Sequence, residues 1–106
     1  MTKETREKVA KIMELALLIN GTETQRAITG DKPTIFVDFE GHVATLYIRI
    51  CDTGWESNGD WDREWKIGFS DWYPSQAYEK VEEAIDEVLA ALKELAEKWV
   101  TEEDAL

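Results

Sequence analysis

Glu79, Glu82, Glu83, Asp86 and Glu87 put five carboxylates within eight residue steps. As a helix, that run spans about 12 Å of axis at ~1.5 Å per residue. It carries roughly one negative charge per 2.4 Å, against about one per 1.7 Å along duplex DNA. Like charges four apart, Glu82–Asp86 and Glu83–Glu87, each cost a helix a few tenths of a kcal/mol. A face that only has to dissolve would interleave lysines, as Lys93–Glu97 and Glu94–Lys98 do farther along. The chemistry this run points to is imitation of a phosphate backbone, a surface able to occupy a basic nucleic-acid channel. General acid–base catalysis by a carboxylate pair needs a pocket and two unlike environments, and no pair in the sequence is set apart in that way.

Other reactive residues are sparse. There is one cysteine, Cys51, and one histidine, His42. They lie at opposite ends of an extended segment, some 30 Å apart at about 3.3 Å per residue, so a Cys–His dyad within the chain is excluded. One cysteine also excludes a disulfide framework and a cysteine-based zinc site. No phosphate loop, Gly-x-Ser-x-Gly or His-Glu-x-x-His is present. Oxygen ligands recur at Asp52, Glu56, Asn58, Asp60 and Asp62, but not in the twelve-residue pattern of a calcium loop, and the segment reads as a hydrophilic connection between strands. No catalytic residue, metal site or cofactor is therefore expected, and the chain reads as a non-enzyme.

Large apolar side chains are the remaining candidates. Trp61 and Trp65 alternate with polar residues and read as inward-facing core, and Trp99 continues a helical stripe. Trp55 and Trp72 fall in loops, where they either plug the ends of the core or anchor a partner, since tryptophan is enriched at interface hot spots. Phe36, Val43 and Tyr47 share the outer face of a predicted sheet, as cross-strand packing or as a small apolar patch for a partner or a second copy.

The elements that carry these residues follow from periodicity. Val9, Ile12, Met13, Ala16, Leu17 and Ile19/Asn20 predict a first helix, capped by Thr2 or Thr5 and ended by Asn20-Gly21. Gly30-Asp31-Lys32-Pro33 is turn chemistry. Residues 35–40 and 43–51 alternate around Gly41-His42 and predict a hairpin with a two-residue turn, which would pair Phe39 with Ala44, Val37 with Leu46 and Ile35 with Ile48. Residues 61–69 predict a third strand. Ser75 is the expected cap of a long helix whose stripe runs Tyr78, Val81, Ile85, Val88, Leu92, Leu95 and Trp99. Residues 100–106 read as a frayed acidic tail. The stripe could also serve a homodimeric coiled coil, but the apolar sheet face needs covering. The expected architecture is α+β: α-β-β-β-α, a three-stranded antiparallel meander with two helices packed on one face, a single domain over residues 1–106.

With 106 residues, one domain can bury a core without staples. A net charge of −11 opposes direct nucleic-acid binding, which needs lysine and arginine. The charge is uneven: +1 over residues 1–30, −4 over 31–70 and −8 over 71–106. The longest apolar runs, Leu15–Ile19 and Val88–Leu92, are five residues each, far short of a membrane span. The charged start, Met1 to Lys8, has no apolar segment of the secretory kind, so a cytoplasmic protein without membrane contact is expected.

The stretch IFVDFEGHVATLYIRICDTGWE, residues 35–56, resembles short proteins encoded by phages and prophages of Gram-positive bacteria, with Gly41-His42-Val43 at the hairpin turn and Gly54-Trp55 after the second strand. It covers about a fifth of the chain. With the small size and acidity, it is similar in type to anti-CRISPR proteins, although no inhibitory motif matches residue by residue. The resemblance implies an inhibitor acting in a bacterial cytoplasm on a protein partner with a basic nucleic-acid-binding surface, a CRISPR effector nuclease foremost. Glu79, Glu82, Glu83, Asp86 and Glu87 would steer and dock, and Trp55, Trp72 or Phe36 and Tyr47 would add apolar contact. The alternative is a small structural or regulatory phage module, monomeric or homodimeric, without inhibitory activity.

Overall fold

The computed structural model describes residues 1–22, 32–55, 59–69 and 81–100. They form helix α1 (Lys3–Asn20), strands β1 (Thr34–Glu40), β2 (Thr45–Cys51) and β3 (Arg63–Gly68), and helix α2 (Val81–Trp99). The strands make one antiparallel sheet in the order β1-β2-β3. The chain is thus the expected α+β meander. Glu79, Trp72, the Ser75 cap, Tyr78, the Gly30-Asp31 half of the turn and the tail beyond residue 100 lie outside the described residues.

Thr2 caps α1: its hydroxyl accepts the Thr5 N–H at 3.1 Å, satisfying one of the free amides of the first turn. At the other end Gly21 takes a left-handed φ of 62° and donates to the Leu17 carbonyl at 2.9 Å, a conformation glycine adopts without steric cost. The buried face differs from the predicted stripe. Ile12, Ala16 and Ile19 are buried as expected, joined by Thr5 and Leu15, whereas Met13 and Leu17 are 43% and 63% exposed. The helix is rolled toward α2, because it must cover the sheet and close against its neighbour at once.

The hairpin also departs from expectation. Gly41–Val43 make one 3-10 turn and Ala44 follows in the left-handed region, φ 47°, donating to the Gly41 carbonyl at 3.3 Å. The connection therefore has four residues, and the pairs are Glu40–Thr45, Phe39–Leu46, Val37–Ile48 and Ile35–Ile50. A two-residue primed turn would require positive φ at both central positions or the first. The longer loop needs that conformation only at Ala44. The shift is two residues, so every side chain keeps its predicted face.

Leu46, Ile48 and Ile50 of β2 and Ile67 of β3 meet Ile12 of α1 and Ile85, Val88 and Leu92 of α2 in a core closed to solvent. The stripe of α2 is thus spent on packing, as the sheet face requires. A two-point polar contact ties α1 to the sheet: the Asn20 side-chain amide donates to the Ile35 carbonyl and accepts the Ile35 N–H, each at 2.8 Å. Left-handed alanine costs roughly 1–2 kcal/mol that glycine avoids, partly offset by glycine's larger unfolded-state entropy. Ala44→Gly should therefore stabilise the fold by about 0.5–1 kcal/mol in urea denaturation, and an unchanged or lower midpoint would show that Ala44 carries no strain.

Candidate functional site

The exposed positions of α2 include Glu82, Glu83, Asp86, Glu87, Glu94 and Glu97 against Lys93 and Lys98, so four of the five expected carboxylates are exposed on α2, and Glu79 lies outside the described residues. Its carboxylates are not equivalent. Thr5 donates its hydroxyl to Glu82 in a short hydrogen bond. Lys8 of α1 reaches Glu82 at 3.2 Å and Asp86 at 2.9 Å. Trp65 of β3, buried against the core, aims its indole N–H at Glu87 over 3.4 Å. Glu83, Glu94 and Glu97 have no ion pair among the described residues and stand on the solvent side of the helix. The flank formed by Glu82 and Asp86 is therefore a seam between helices, and the free acidic strip is centred on Glu83, Glu94 and Glu97.

The second candidate surface lies on the other side of the molecule. Phe36 and Tyr47 are half-buried on the outer face of the sheet, opposite the layer that carries α2. No flat partner surface can meet both that pair and the acidic strip, so the two sets of predicted contact residues are separate. Arg49 organises this outer face. It pairs with Asp38 in a short ion pair, and its guanidinium lies 5.6 Å from the centre of the Phe36 ring and 4.7 Å from that of Trp61. Phe36 and Trp61 meet edge to face at 5.2 Å, and Lys66 lies 5.2 Å from the centre of the Tyr47 ring.

Trp61 thus belongs to the outer face and not, as expected, to the core with Trp65. The strand begins at Arg63, and at the bend before it the Asp62 N–H donates to Ile50, so alternation does not extend back to Trp61. Cation–π attraction to Arg49 holds the ring where it is. The missed signal was the pairing of Phe36 with Arg49 across β1 and β2, hidden by the two-residue register difference. Val43 sits in the 3-10 turn and Trp55 is half-buried in the loop after β2.

Glu56 and Asn58 of the polar loop between β2 and β3 lie outside the described residues, and Asp52 and Asp62 are engaged locally. Asp52 pairs with Arg63 at 2.6 Å, and Asp62 accepts the Asp52 N–H at 2.6 Å. Among the described residues no three His, Cys, Asp or Glu side chains converge as metal ligands. Cys51 is buried, and burial first, then the charges of Asp62 and Asp52, push its thiol above the ordinary value. The thiolate is the reactive form, so this is a packing residue. Among the described residues no helix is long and apolar enough to cross a membrane.

The hydrogen bond from Thr5, then that from Lys8, holds the Glu82 carboxyl below its ordinary range. Hydrogen bonds to Asp86 and Glu82 raise Lys8 above 10.5. The signs follow by linkage. Glu82 contributes its stabilisation fully above the ordinary glutamate value and loses it as pH falls through the lowered one. Lys8 contributes fully below 10.5 and loses its share as pH rises through the raised value. Thr5→Val, which keeps the shape and removes the donor, should move the Glu82 titration upward when its carboxyl carbon is followed by NMR. An unmoved titration would show that Thr5 does not govern Glu82. Cys51 should resist Ellman's reagent at pH 8 in the native protein and react fully in denaturant; immediate native labelling would contradict its burial. In comparison with known proteins, the chain matches no family model, no curated protein and no solved structure.

Proposed function

We propose that this chain is a non-enzymatic inhibitor of the phage type that docks the outer face of α2 on the basic nucleic-acid channel of a host enzyme, an RNA-guided CRISPR nuclease foremost. The observation that carries this reading is the exposed strip Glu83, Glu94 and Glu97, flanked by Glu87 and by the partly neutralised Glu82 and Asp86. From Glu83 to Glu97 the strip extends about 21 Å at ~1.5 Å per residue, comparable with a short stretch of nucleic-acid backbone. A net charge of −11 would steer a basic partner at long range, and salt would screen that attraction. Glu79 and Trp72 belong to the same expectation from sequence alone. Of the two tryptophans expected to make contact, Trp55 is the described one, and it would add apolar contact in place of Phe36 and Tyr47, which face the opposite way.

The test is DNA cleavage by a panel of RNA-guided nucleases, with the protein added before or after guide loading. Inhibition is expected against a member of the panel, weakening about tenfold or more between low and moderate salt. The combined variant Glu83→Lys, Glu94→Lys and Glu97→Lys leaves the Lys8 seam intact. It should lose about tenfold or more in potency with its melting temperature retained. Equal potency of this folded variant would remove α2 as the interface, and failure across the whole panel would favour the structural module.

A further inference from the structure

Among the described residues β1 is an edge strand, and its backbone is divided there between a closed and an open half. The Ile35 N–H and carbonyl face away from β2, since both are engaged by Asn20. Alternation along a strand then turns the N–H and carbonyl of Val37 and Phe39 the same way. The rest of the ladder agrees: Ile50 on β2, and Ala44 just before that strand, give their carbonyls to the β3 side. Among the described residues, no hydrogen bond reaches the outward groups of Val37 or Phe39. Phe39 is also the most exposed aromatic of the core-facing set, at 53%.

Beside this edge runs an apolar flank of α1. Met13, Leu17 and Asn20 follow one another at four- and three-residue intervals, so they share one side of the helix. Asn20 is in contact with Ile35, which places that side over the β1 edge. Met13 and Leu17 are accordingly the exposed apolar residues that the rolled helix leaves beside the outward edge of β1.

A second copy of β1 does not suit this edge. Pairing centred on Val37 would need the Ile35 groups that Asn20 occupies. Pairing centred on Asp38 sets that residue opposite its own copy, and pairing centred on Phe39 sets Asp38 opposite Glu40. Like charges directly opposite are destabilising. Asp38 shares its charge with Arg49 and Glu40 has no ion pair among the described residues, so this edge keeps a net negative charge that accepts the reverse sign. We propose that Val37–Phe39, with the Met13–Leu17 flank, is a strand-docking site for an extended segment of a partner protein in which basic residues alternate with apolar ones. The segment's backbone would add a fourth strand, its apolar side chains would lie toward Met13, Leu17 and Phe39, and its lysines or arginines would sit beside Asp38 and Glu40. This site is independent of the α2 face, which borders β3 on the far side of the sheet.

The probe is a fluorescein-labelled ten-residue peptide of alternating lysine and valine, followed by anisotropy and by amide hydrogen exchange on the full chain. Binding should slow exchange of the Val37 and Phe39 amides selectively. It should weaken about tenfold when the peptide's strand-facing amides are N-methylated, and equally when its lysines become glutamates. Val37→Pro should weaken binding to the same extent while the protein stays folded, because that N–H lies outside the β1–β2 ladder. The N-methylated peptide keeps every charge, so equal binding by it would show mere attraction to the acidic surface and overturn the proposal. So would absence of binding, or indifference to the glutamate substitution. Concentration-dependent protection of Val37 and Phe39 without peptide, with a dimer in sedimentation, would assign the edge to a second copy instead.

Discussion

Leu46, Ile48 and Ile50 project from the central strand into a layer that one helix is too narrow to close, and the rest of the structure follows from covering them. α1 lies on the β1 side and α2 on the β3 side, so each helix must bury one stripe on the sheet and a second on its neighbour. Thr5 and Lys8 meeting Glu82 and Asp86 brings the N-terminal parts of both helices together, with polar groups at the rim of the seam and isoleucine and leucine beneath. This double demand explains why Leu15 is buried while Leu17, two residues on, is exposed. It also explains a buried polar residue at that rim: Thr5 is buried, but its hydroxyl is spent on Glu82, and a buried hydroxyl with a partner escapes the cost of one without.

The same packing divides a large negative charge into unlike parts. Asp38, Asp52, Asp62, Glu82 and Asp86 each hold a hydrogen bond or an ion pair within the fold. Exposed pairs of this kind contribute little energy individually, yet they fix which carboxylates are turned inward to other elements. What remains toward solvent on α2 is a smaller group with a definite position. A partner drawn by net charge would meet this strip and not the five-residue cluster as it stands in the sequence.

Periodicity made the faces legible and left the long-range contacts unread. The hairpin shows the difference. Alternation in residues 35–40 and 45–51 is local, so the apolar face was recoverable even with the wrong loop length, because a shift of two preserves it. The partner of Phe36 depends on how many residues the turn consumes, and with it went the Arg49–Trp61 cluster. For α1, Met13 and Leu17 fit a helical stripe as well as Thr5 and Leu15 do. Only the position of α2, more than sixty residues away, decides between them. The acidic run of α2 was visible as composition on a helix, whereas its tether to Lys8 and the lock between Asn20 and Ile35 join elements whose proximity no local pattern encodes.

An exposed strand edge is a hazard in any small sheet, and the two edges here are treated differently. Among the described residues the backbone groups of Glu64, Lys66 and Gly68 on β3 point away from β2, and the side chains Glu64 and Lys66 along that side carry charges of both signs, a common defence against pairing. On β1 the defence is partial: Asn20 plugs the first outward pair, and Asp38 and Glu40 stand guard over the rest. Acidic side chains repel copies of the same edge, and the overall charge of −11 adds to that repulsion at a distance. Such protection is selective by sign. It would oppose pairing between copies while leaving the Val37 and Phe39 backbone, which has no outward hydrogen bond among the described residues, to a basic strand, so that the arrangement opposing self-pairing would also specify the chemistry the edge accepts.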